Sequence, residues 1–286
     1  MKIKVLVTGA NGQLGKAITE VSEEFLSVID PTFVEKSELD ITKKKQLDSF
    51  FKNRDFEYCI NCAAYTNVDL AEEEKQKSYD VNAFAVKYLA EVCQTYNIIL
   101  IHLSTDYVFD GTKNLPYLES DFTNPINVYG QSKLLGEHHI KEFNAHHFII
   151  RTSWLYSKFK GNFVEKIYHK LSNNEQLTVI TSQKGVPTSC TDLAHFLLML
   201  IASRITDFGT YHFAPNGETT WYGLALHIAE FLNKSSNVTA IEDYKSKARR
   251  PAYSVLANHK AAALLAKPFK NWSESVDEVL NVLSVE

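Results

Sequence analysis

The chain has 286 residues, of which 45% are hydrophobic and 22% are charged, values ordinary for a globular protein with a well-formed core. Its 30 Lys and Arg residues stand against 34 Asp and Glu, so the formal net charge of −4 provides no basic field for a nucleic acid or an anionic membrane. The longest apolar run, 193–202, is about half the length of a membrane span. We therefore expect no nucleic-acid or membrane partner, and a cytoplasmic location, since the start of the chain lacks a signal-peptide pattern and its four cysteines suit a reducing compartment.

The first predicted strand, residues 2–8, runs directly into a loop of glycines. Gly9, Gly12 and Gly15 have the spacing G-x-x-G-x-x-G, and a helical segment follows them. In a dinucleotide-binding turn, the first glycine permits the tight turn, the second lets a pyrophosphate approach the backbone, and the third lets the helix pack on the strand. The start of the helix then offers free N–H groups to the phosphates. Any tight turn could use three glycines, but their position after the first strand favours a cofactor site.

An acidic residue about 20 positions beyond this loop would hold the adenine ribose. Glu35 stands at that distance, and Asp30 is a second candidate. Lys36 could instead pair with a 2′-phosphate, so the sequence leaves NADH and NADPH both open. Asp40 and Ile41, after a second turn, would edge the adenine ring. The alternative interpretation of this region is an ordinary solvated turn.

A second buried strand is predicted at 56–63, where Cys59 and Cys62 form a C-x-x-C. Residues three apart on a strand point to opposite faces, and no second cysteine pair completes a metal site. We interpret both thiols as core.

An amphipathic helix follows, with apolar residues at intervals of three and four. They predict a single helical face made of Val81, Phe84, Ala85, Tyr88, Leu89 and Val92.

The next apolar strand, 98–104, ends at Ser104 and Thr105, whose hydroxyl groups we expect at the ligand-binding edge of the sheet. Tyr129 and Lys133 stand four residues apart and so share one face of a helix. A nearby ammonium group favours the phenolate and would lower the tyrosine pKa from roughly 10, which makes the side chain a usable proton donor and acceptor. Lys133 could also hold the nicotinamide ribose, and Thr105 could bind the carbonyl oxygen that Tyr129 protonates.

The same Y-x-x-x-K spacing occurs at Tyr156 and Lys160. That pair precedes a Gly-Asn turn in a segment without a helical pattern, and we interpret it as incidental.

Further strands are predicted at 147–152, 177–182 and 209–214, with a weaker one at 26–35. Strands that alternate with helices indicate an α/β fold, a Rossmann-type doubly wound parallel sheet. The pattern is less regular after about residue 155. We therefore expect an NAD(P)-binding domain at 1–155, to which segments near 187–214 return, and a smaller C-terminal substrate-binding lobe at 156–286.

The chain resembles the extended short-chain dehydrogenase/reductases and, within them, the dTDP-4-dehydrorhamnose reductase family. The resemblance extends from residue 2 to about 275. Its motifs are, in order, the glycine loop, NCAA at 61–64, STDYVFDG at 104–111, NVYG at 127–130 with the lysine at 133, RTSWLY at 151–156, GVPT at 185–188 and RP at 250–251.

This resemblance implies reduction of the 4-keto group of dTDP-4-dehydro-L-rhamnose to dTDP-L-rhamnose, a step towards cell-envelope polysaccharide. It implies a catalytic triad of Thr105, Tyr129 and Lys133, the last two also touching the cofactor. It further implies that Gly12, Gln13 and Leu14 lie on the pyrophosphate and that Ala63, Ala64 and Tyr65 line the middle of the cofactor. With Gly9, Asn11 and Gly15 of the same loop, these are the expected cofactor contacts.

The resemblance also implies that Thr105, Asp106 and Trp154 touch the sugar. Trp154 has an equal alternative as a core aromatic residue at a strand end. A guanidinium fork suits phosphate oxygens, so Arg250 or Arg249 could meet the substrate diphosphate, the alternative being a solvated pair.

Two other functions stay open. One is another nucleotide-sugar reductase, epimerase or dehydratase of the same superfamily. A dehydratase is disfavoured, because in that family the threonine is followed by Asp-Glu, whereas here Asp106 is followed by Tyr107. The other is a non-catalytic regulatory subunit resembling the methionine adenosyltransferase beta subunit, against which the intact Thr–Tyr–Lys set argues.

Some members of the family bridge two subunits through Mg²⁺ held by glutamates. The corresponding positions here are Ala17 and Thr191, which offer Mg²⁺ no charged oxygen. Asp192 is adjacent to Thr191, but one helical position is a rotation of about 100°. We therefore expect a metal-independent enzyme that is a monomer or a homodimer not bridged by metal.

Overall fold

The computed structural model of the chain describes residues 1–52, 54–159 and 161–285. Its strands are β1 (Ile3–Thr8), β2 (Ile29–Val34), β3 (Tyr58–Asn61), β4 (Ile99–Thr105), β5 (His147–Thr152), β6 (Leu155–Tyr156), β7 (Leu177–Ile180), β8 (Lys184–Gly185), β9 (Thr188–Ser189), β10 (Gly209–His212), β11 (Thr219–Thr220) and β12 (Val238–Ile241). Its α-helices are α1 (Gln13–Ser22), α2 (Lys44–Phe51), α3 (Val68–Ala71), α4 (Lys75–Tyr79), α5 (Ala85–Thr95), α6 (Val128–Phe143), α7 (Phe163–Ser172), α8 (Cys190–Ala202), α9 (Trp221–Phe231), α10 (His259–Leu264) and α11 (Trp272–Leu283). Each segment in which the sequence predicts a strand contains one.

Within the described residues, six strands form a parallel sheet in the order β10-β5-β4-β3-β1-β2. The chain moves outward from β1 to β2 and then returns to the other side of β1 for β3. The carboxyl ends of β1 and β3 therefore flank a topological switch point, where open α/β sheets bind their ligands. The expected doubly wound Rossmann fold is confirmed.

The central strands are rich in buried apolar residues because both faces of the sheet are covered. One face packs on α1 and α8 in a core that includes Val5, Val7 and Leu197. The opposite face packs on α2 and α5, with Leu6, Cys59 and Leu100 buried between them. Covered on both sides, the sheet leaves its carboxyl edge as the accessible place for chemistry.

The C-terminal part of the chain has a core of its own. Helices α7, α9 and α11 pack around the parallel pair β7–β12, burying residues such as Leu171, Leu224 and Leu280. Helix α8 packs against α1, and β10 pairs with β5, so residues 190–212 lie with the large sheet. The division of function between the two parts at residue 155 stays a prediction.

The predicted helical face at 81–92 is wrong in one respect. Residues Asp80–Phe84 form a π-helical turn before α5, and Phe84 is 39% exposed. A π turn places one extra residue in the turn and so rotates what precedes it relative to the following α-helix. Asn82 and Ala83 are buried in place of Phe84.

None of the helices in the described part of the chain combines the length and the apolar character that a bilayer span requires.

Candidate active site

The glycine loop makes contacts that side chains would prevent. Gly9 has φ +70°, and a Cβ atom there would lie 2.6 Å from the backbone nitrogen of Ala63. A Cβ on Gly15 would lie 2.6 Å from the carbonyl oxygen of Ala10. Gly12 precedes α1, whose first turn has no side-chain cap. The loop is therefore held close to β3 while the start of α1 keeps its N–H groups for a ligand.

The neighbouring loop residues differ in exposure. Asn11 is exposed, Gln13 is half-buried and accepts a hydrogen bond from Ser157 at 3.1 Å, and Leu14 is buried in the core. Leu14 can thus offer a ligand only its backbone, whereas the bond from Ser157 ties the loop to the segment after β6.

The expected ribose-binding residues lie just beyond β2. Glu35 follows the last residue of that strand and Lys36 is exposed beside it. Ile41 is buried. Although burial raises the pKa of the Asp40 carboxyl, hydrogen bonds from Thr42 hold it below its ordinary value. All four residues are at the carboxyl edge, next to the glycine loop.

Ala63, Ala64 and Tyr65 leave the end of β3 in a loop that is held at both ends. The backbone N–H of Ala63 donates to Asn61 Oδ1 at 3.2 Å. Asn82 accepts from the Tyr65 N–H and donates to the Tyr65 carbonyl, both at 2.9 Å. The π-helical turn supplies Asn82, so the deviation from regular helix fixes this loop.

Thr105 and Tyr129 come together as expected. Thr105 is the last residue of β4, and its hydroxyl accepts from the Tyr107 N–H at 3.1 Å and donates to Asp106 at 3.0 Å. Loss of water raises the pKa of Tyr129 to about 12, while a hydrogen bond with Thr105 acts in the opposite direction. The phenol therefore holds its proton firmly at neutral pH.

The start of α6 fits tightly against the turn after β4. A Cβ at Gly130 would lie 2.2 Å from the Tyr107 carbonyl oxygen, and the rings of Tyr107 and Tyr129 meet edge to face at 6.0 Å. Asn127 caps the helix by accepting from the Gly130 N–H at 2.7 Å and donates to the Arg249 carbonyl at 2.8 Å. The NVYG motif thus positions Tyr129.

Lys133 lies one helical turn from Tyr129, but its amine does not act as expected. It donates to the Leu103 carbonyl at 2.5 Å and lies 3.2 Å from His102 Nε2. Burial lowers the pKa of Lys133 to about 8. The prediction that an ammonium group lowers the tyrosine pKa is wrong for this arrangement, because the amine is bound to β4 and desolvation dominates at Tyr129.

Ser104 also departs from its expected place. Its hydroxyl donates to Glu137 at 2.6 Å, and Glu137 forms a buried ion pair with Arg151 at 2.7 Å. Adjacent residues of a strand point to opposite faces, so Ser104 and Thr105 cannot both reach the ligand.

Asp106 is 2% exposed, and its Oδ2 atom has no hydrogen-bond partner among the described residues. Burial raises the pKa of its carboxyl to about 7, against the effect of hydrogen bonds with Ser254 and Thr105. An unbonded carboxyl oxygen beside Thr105 is suited to a sugar hydroxyl group.

The structure shows the packing contacts of Trp154, and its sugar contact stays a prediction. It has φ +46° and stacks on Trp221, with ring centroids 3.6 Å apart and planes 11° from parallel. A Cβ on Gly185 would lie 2.7 Å from the Trp154 ring, which explains the first glycine of GVPT. The half-buried stack is packed on one side and lies at the border of the C-terminal core.

Arg250 is already paired. Its guanidinium donates to both carboxylate oxygens of Asp69, at 2.7 and 3.2 Å. The next residue, Pro251, would lie 2.6 Å from a Cβ at Gly111. The RP motif therefore packs on the glycine that ends the STDYVFDG motif.

Tyr156 is a strand residue 1% exposed, and its hydroxyl has no partner among the described residues. Lys160 lies outside the described residues.

A cavity of about 560 Å³ adjoins Arg250 in the C-terminal part of the chain. Its walls include the aromatic side chains of Phe163, Trp221 and Tyr244 and the cation of Lys166. Sequence reasoning missed Trp221, whose indole N–H donates to Gln183 at 3.1 Å. The only signal for Trp221 in the sequence is an aromatic side chain at the first position of α9.

Among the described residues no three or more His, Cys, Asp or Glu side chains are grouped to hold a metal ion. Ala17 is buried against α8, and Thr191 is exposed at the start of that helix. Asp192 accepts from Ser275 at 2.5 Å and from Lys270 at 3.4 Å. The metal-free expectation stays a prediction.

A glycine loop at the switch point of a parallel sheet, followed by a Thr–Tyr–Lys set at the same edge, defines a Rossmann-fold oxidoreductase of the extended short-chain dehydrogenase/reductase class. The comparisons with known proteins identify a narrower family within this class. The profile of the family described as RmlD substrate binding domain matches residues 2–285, and the chain belongs to this family.

Individual relatives are similar to this chain over its full length. A dTDP-4-dehydrorhamnose reductase from Sinorhizobium fredii is 35% identical over 99% of each chain. Crystal structures of a dTDP-4-dehydrorhamnose reductase from Clostridium acetobutylicum, and of one from Bacillus anthracis in complex with NADP, are each 35% identical to this chain. Both cover 99% of this chain and 100% of their own, with TM-scores of 0.92 and 0.93. The resemblance found in the motifs is confirmed.

Proposed function

We propose that the chain is an NADPH- or NADH-dependent reductase that converts dTDP-4-dehydro-L-rhamnose to dTDP-L-rhamnose. The observation that carries the proposal is the packing of the start of α6 on the turn after Thr105, which brings Tyr129 to the sheet edge that also presents the glycine loop. Full-length similarity to enzymes named for this reaction supports the choice of sugar.

The cofactor fits the residues at this edge. The backbone from Gly9 to Gly15 would take the pyrophosphate, because a Cβ on Gly9 or Gly15 would collide with neighbouring backbone and the start of α1 is uncapped. Ala63, Ala64 and Tyr65 would lie along its middle. Glu35 and Lys36, with Asp40 and Ile41, would surround the adenine ribose. NADP in the Bacillus anthracis relative supports this assignment.

When bound, the reduced nicotinamide supplies the hydride for C4 of the sugar. Tyr129 donates a proton to the carbonyl oxygen, and its raised pKa keeps that proton in place until the oxygen becomes basic. Thr105 would turn its single hydroxyl proton from Asp106 to the same oxygen and orient it. Lys133, when protonated, would hold the nicotinamide ribose.

The substrate would lie across the border of the two parts of the chain. Asp106 offers its unbonded Oδ2 to a sugar hydroxyl, and the Trp154–Trp221 stack closes one side. The cavity beyond Arg250, with its aromatic walls, suits the thymine nucleotide. The ion pair with Asp69 fixes the Arg250 guanidinium at the entrance, where diphosphate oxygens would pass.

The rival functions predict different chemistry. A dehydratase needs a second carboxyl group after the aspartate, whereas Tyr107 offers a phenol whose pKa burial raises further. A regulatory subunit would need no positioned acid, yet Tyr129 is held against the turn that follows Thr105. The proposal includes a cytoplasmic location, supported by four free thiols, and a monomer or a homodimer without a bridging metal.

The test is oxidation of NADPH, followed by absorbance, with dTDP-4-dehydro-L-rhamnose as substrate and dTDP-glucose, which lacks the keto group, as control. We expect turnover with the first and none with the second. Cofactor binding without turnover on the keto sugar would favour the regulatory subunit and overturn the proposal.

A further inference from the structure

A row of hydrogen-bonded polar side chains crosses three strands of the sheet beneath the active site. Thr8, Asn61 and His102 occupy paired positions on β1, β3 and β4. The Thr8 hydroxyl donates to Asn61 Oδ1 at 2.7 Å, and Asn61 Nδ2 lies 3.1 Å from His102 Nδ1. All three side chains are buried, and the row ends at Lys133, whose amine is 3.2 Å from His102 Nε2.

The orientation of the Asn61 amide is fixed by its neighbours. Its Oδ1 also faces the backbone N–H of Ala63 at 3.2 Å, a group that can only donate. Turning the amide over would set its NH₂ group against that N–H. The NH₂ group therefore faces His102, and His102 Nδ1 must accept.

His102 is fully buried, and burial by itself lowers its pKa well below the ordinary range, so the ring is neutral. A neutral imidazole carries one proton. Since Nδ1 accepts from Asn61, that proton is on Nε2 and points at Lys133.

An ammonium group has only donors, so it would meet the Nε2–H of His102 proton against proton. An uncharged amine has a lone pair to accept this bond while it donates to the Leu103 carbonyl. We propose that His102 is a positioning residue for Lys133. His102 donates through Nε2–H to the Lys133 amine, holds that amine against β4 and favours its uncharged form in the cofactor-free chain.

The other groups that act on Lys133 do not reverse this preference. Glu137, one turn along α6, favours the charged amine, but its carboxylate is engaged by Arg151 and Ser104. The thiol of Cys62 also favours the charge when ionised, yet burial raises its pKa far above neutrality. Burial itself favours the uncharged amine, in agreement with the hydrogen bonds.

The first test is the tautomer of His102, read from imidazole ¹⁵N chemical shifts in the cofactor-free protein and assigned by through-bond correlation to its backbone. We expect a protonated Nε2 and an unprotonated Nδ1. The opposite tautomer would let Nε2 accept from an ammonium group and would overturn the proposal. In Asn61→Asp the carboxylate can only accept, so this variant should move the proton to Nδ1. An unchanged tautomer there would show that Asn61 does not direct the ring.

The second test rests on the proposed role of Lys133 in the reductase and uses the pH profile of kcat/KM for NADPH, which reports groups of the free enzyme. In His102→Gln the amide oxygen can accept from an ammonium group, so residue 102 would favour the charged form of Lys133. One hydrogen bond is worth about one pKa unit, and the alkaline limb should therefore move up by about one pH unit. His147→Gln, a histidine on the adjacent β5 bonded to the Asn144 carbonyl, is the control and should leave the limb in place.

A limb that is the same in both variants would refute the link between His102 and Lys133. The tautomer measurement needs no substrate and no turnover, so a chain that fails as a reductase still gives a result for His102. The failure of the proposed function and the failure of this inference are thus separable.

Discussion

Tyr129 and Tyr156 both stand four residues before a lysine, and the structure gives their hydroxyl groups different surroundings. Tyr129 interacts with Thr105 at the sheet edge, whereas the Tyr156 hydroxyl is buried without a partner among the described residues. Replacing Tyr129 by Phe keeps the ring that packs edge to face on Tyr107 and removes only the acid. Because positioned acid–base groups contribute about 10²–10⁴-fold, kcat should fall by that factor, or about 3–5 kcal/mol in the barrier.

Tyr156→Phe is the matched control. The substitution removes a buried hydroxyl group without a partner, and such a group costs about 1–3 kcal/mol of stability. The variant should therefore keep full kcat. Its free energy of unfolding should be unchanged or higher by roughly 1 kcal/mol, which is about 2 °C in Tm. The assay is kcat for the keto sugar with saturating NADPH, alongside thermal unfolding and NADPH titration of both variants. If Tyr156→Phe lost activity and Tyr129→Phe kept it, the assignment of the acid and the mechanism built on Thr105 would both be refuted.

Three more predictions follow from other parts of the site. Lys36→Ala should weaken NADPH binding more than NADH binding, since an ammonium group attracts a 2′-phosphate and Glu35 repels it; equal loss or none, measured by titration, would direct the search to Asp30. Activity and sedimentation should be unchanged by EDTA, because Ala17 and Thr191 offer Mg²⁺ no charged oxygen; inactivation, or a dimer that dissociates on chelation, would contradict this. For Asp106, the folded-state pKa of about 7 lies above the unfolded value, so its stabilising contribution is complete below the unfolded pKa and is lost as the pH rises towards 7. The Tm of Asp106→Asn minus that of the unchanged chain should therefore be larger at pH 8 than at pH 4, and a difference independent of pH would show that the carboxyl is not desolvated.

Several features were determined by the sequence because their causes are local. In the glycine loop, the positive φ of Gly9 and the approach of Gly15 to Ala10 are local, and strand positions follow from apolar runs. Tyr129 and Lys133 share a helical face because a turn contains 3.6 residues. The motifs also sufficed for the family, which the full-length matches confirm.

Other features were decided only by contacts between distant segments. Gly130 is required by the Tyr107 carbonyl and Gly111 by Pro251, which is 140 positions away (251 − 111). No local spacing marks a motif glycine as a packing residue rather than a ligand contact.

The protonation of the site depends on strand register. Pairing of Thr8, Asn61 and His102 across three strands brings the imidazole to Lys133, and the amine is bonded to β4. The residues are separated by 53 and 41 positions in the chain. The sequence therefore named the reacting side chains, but their hydrogen-bond partners and pKa values depend on which strands lie side by side and on how much water the packed helices exclude.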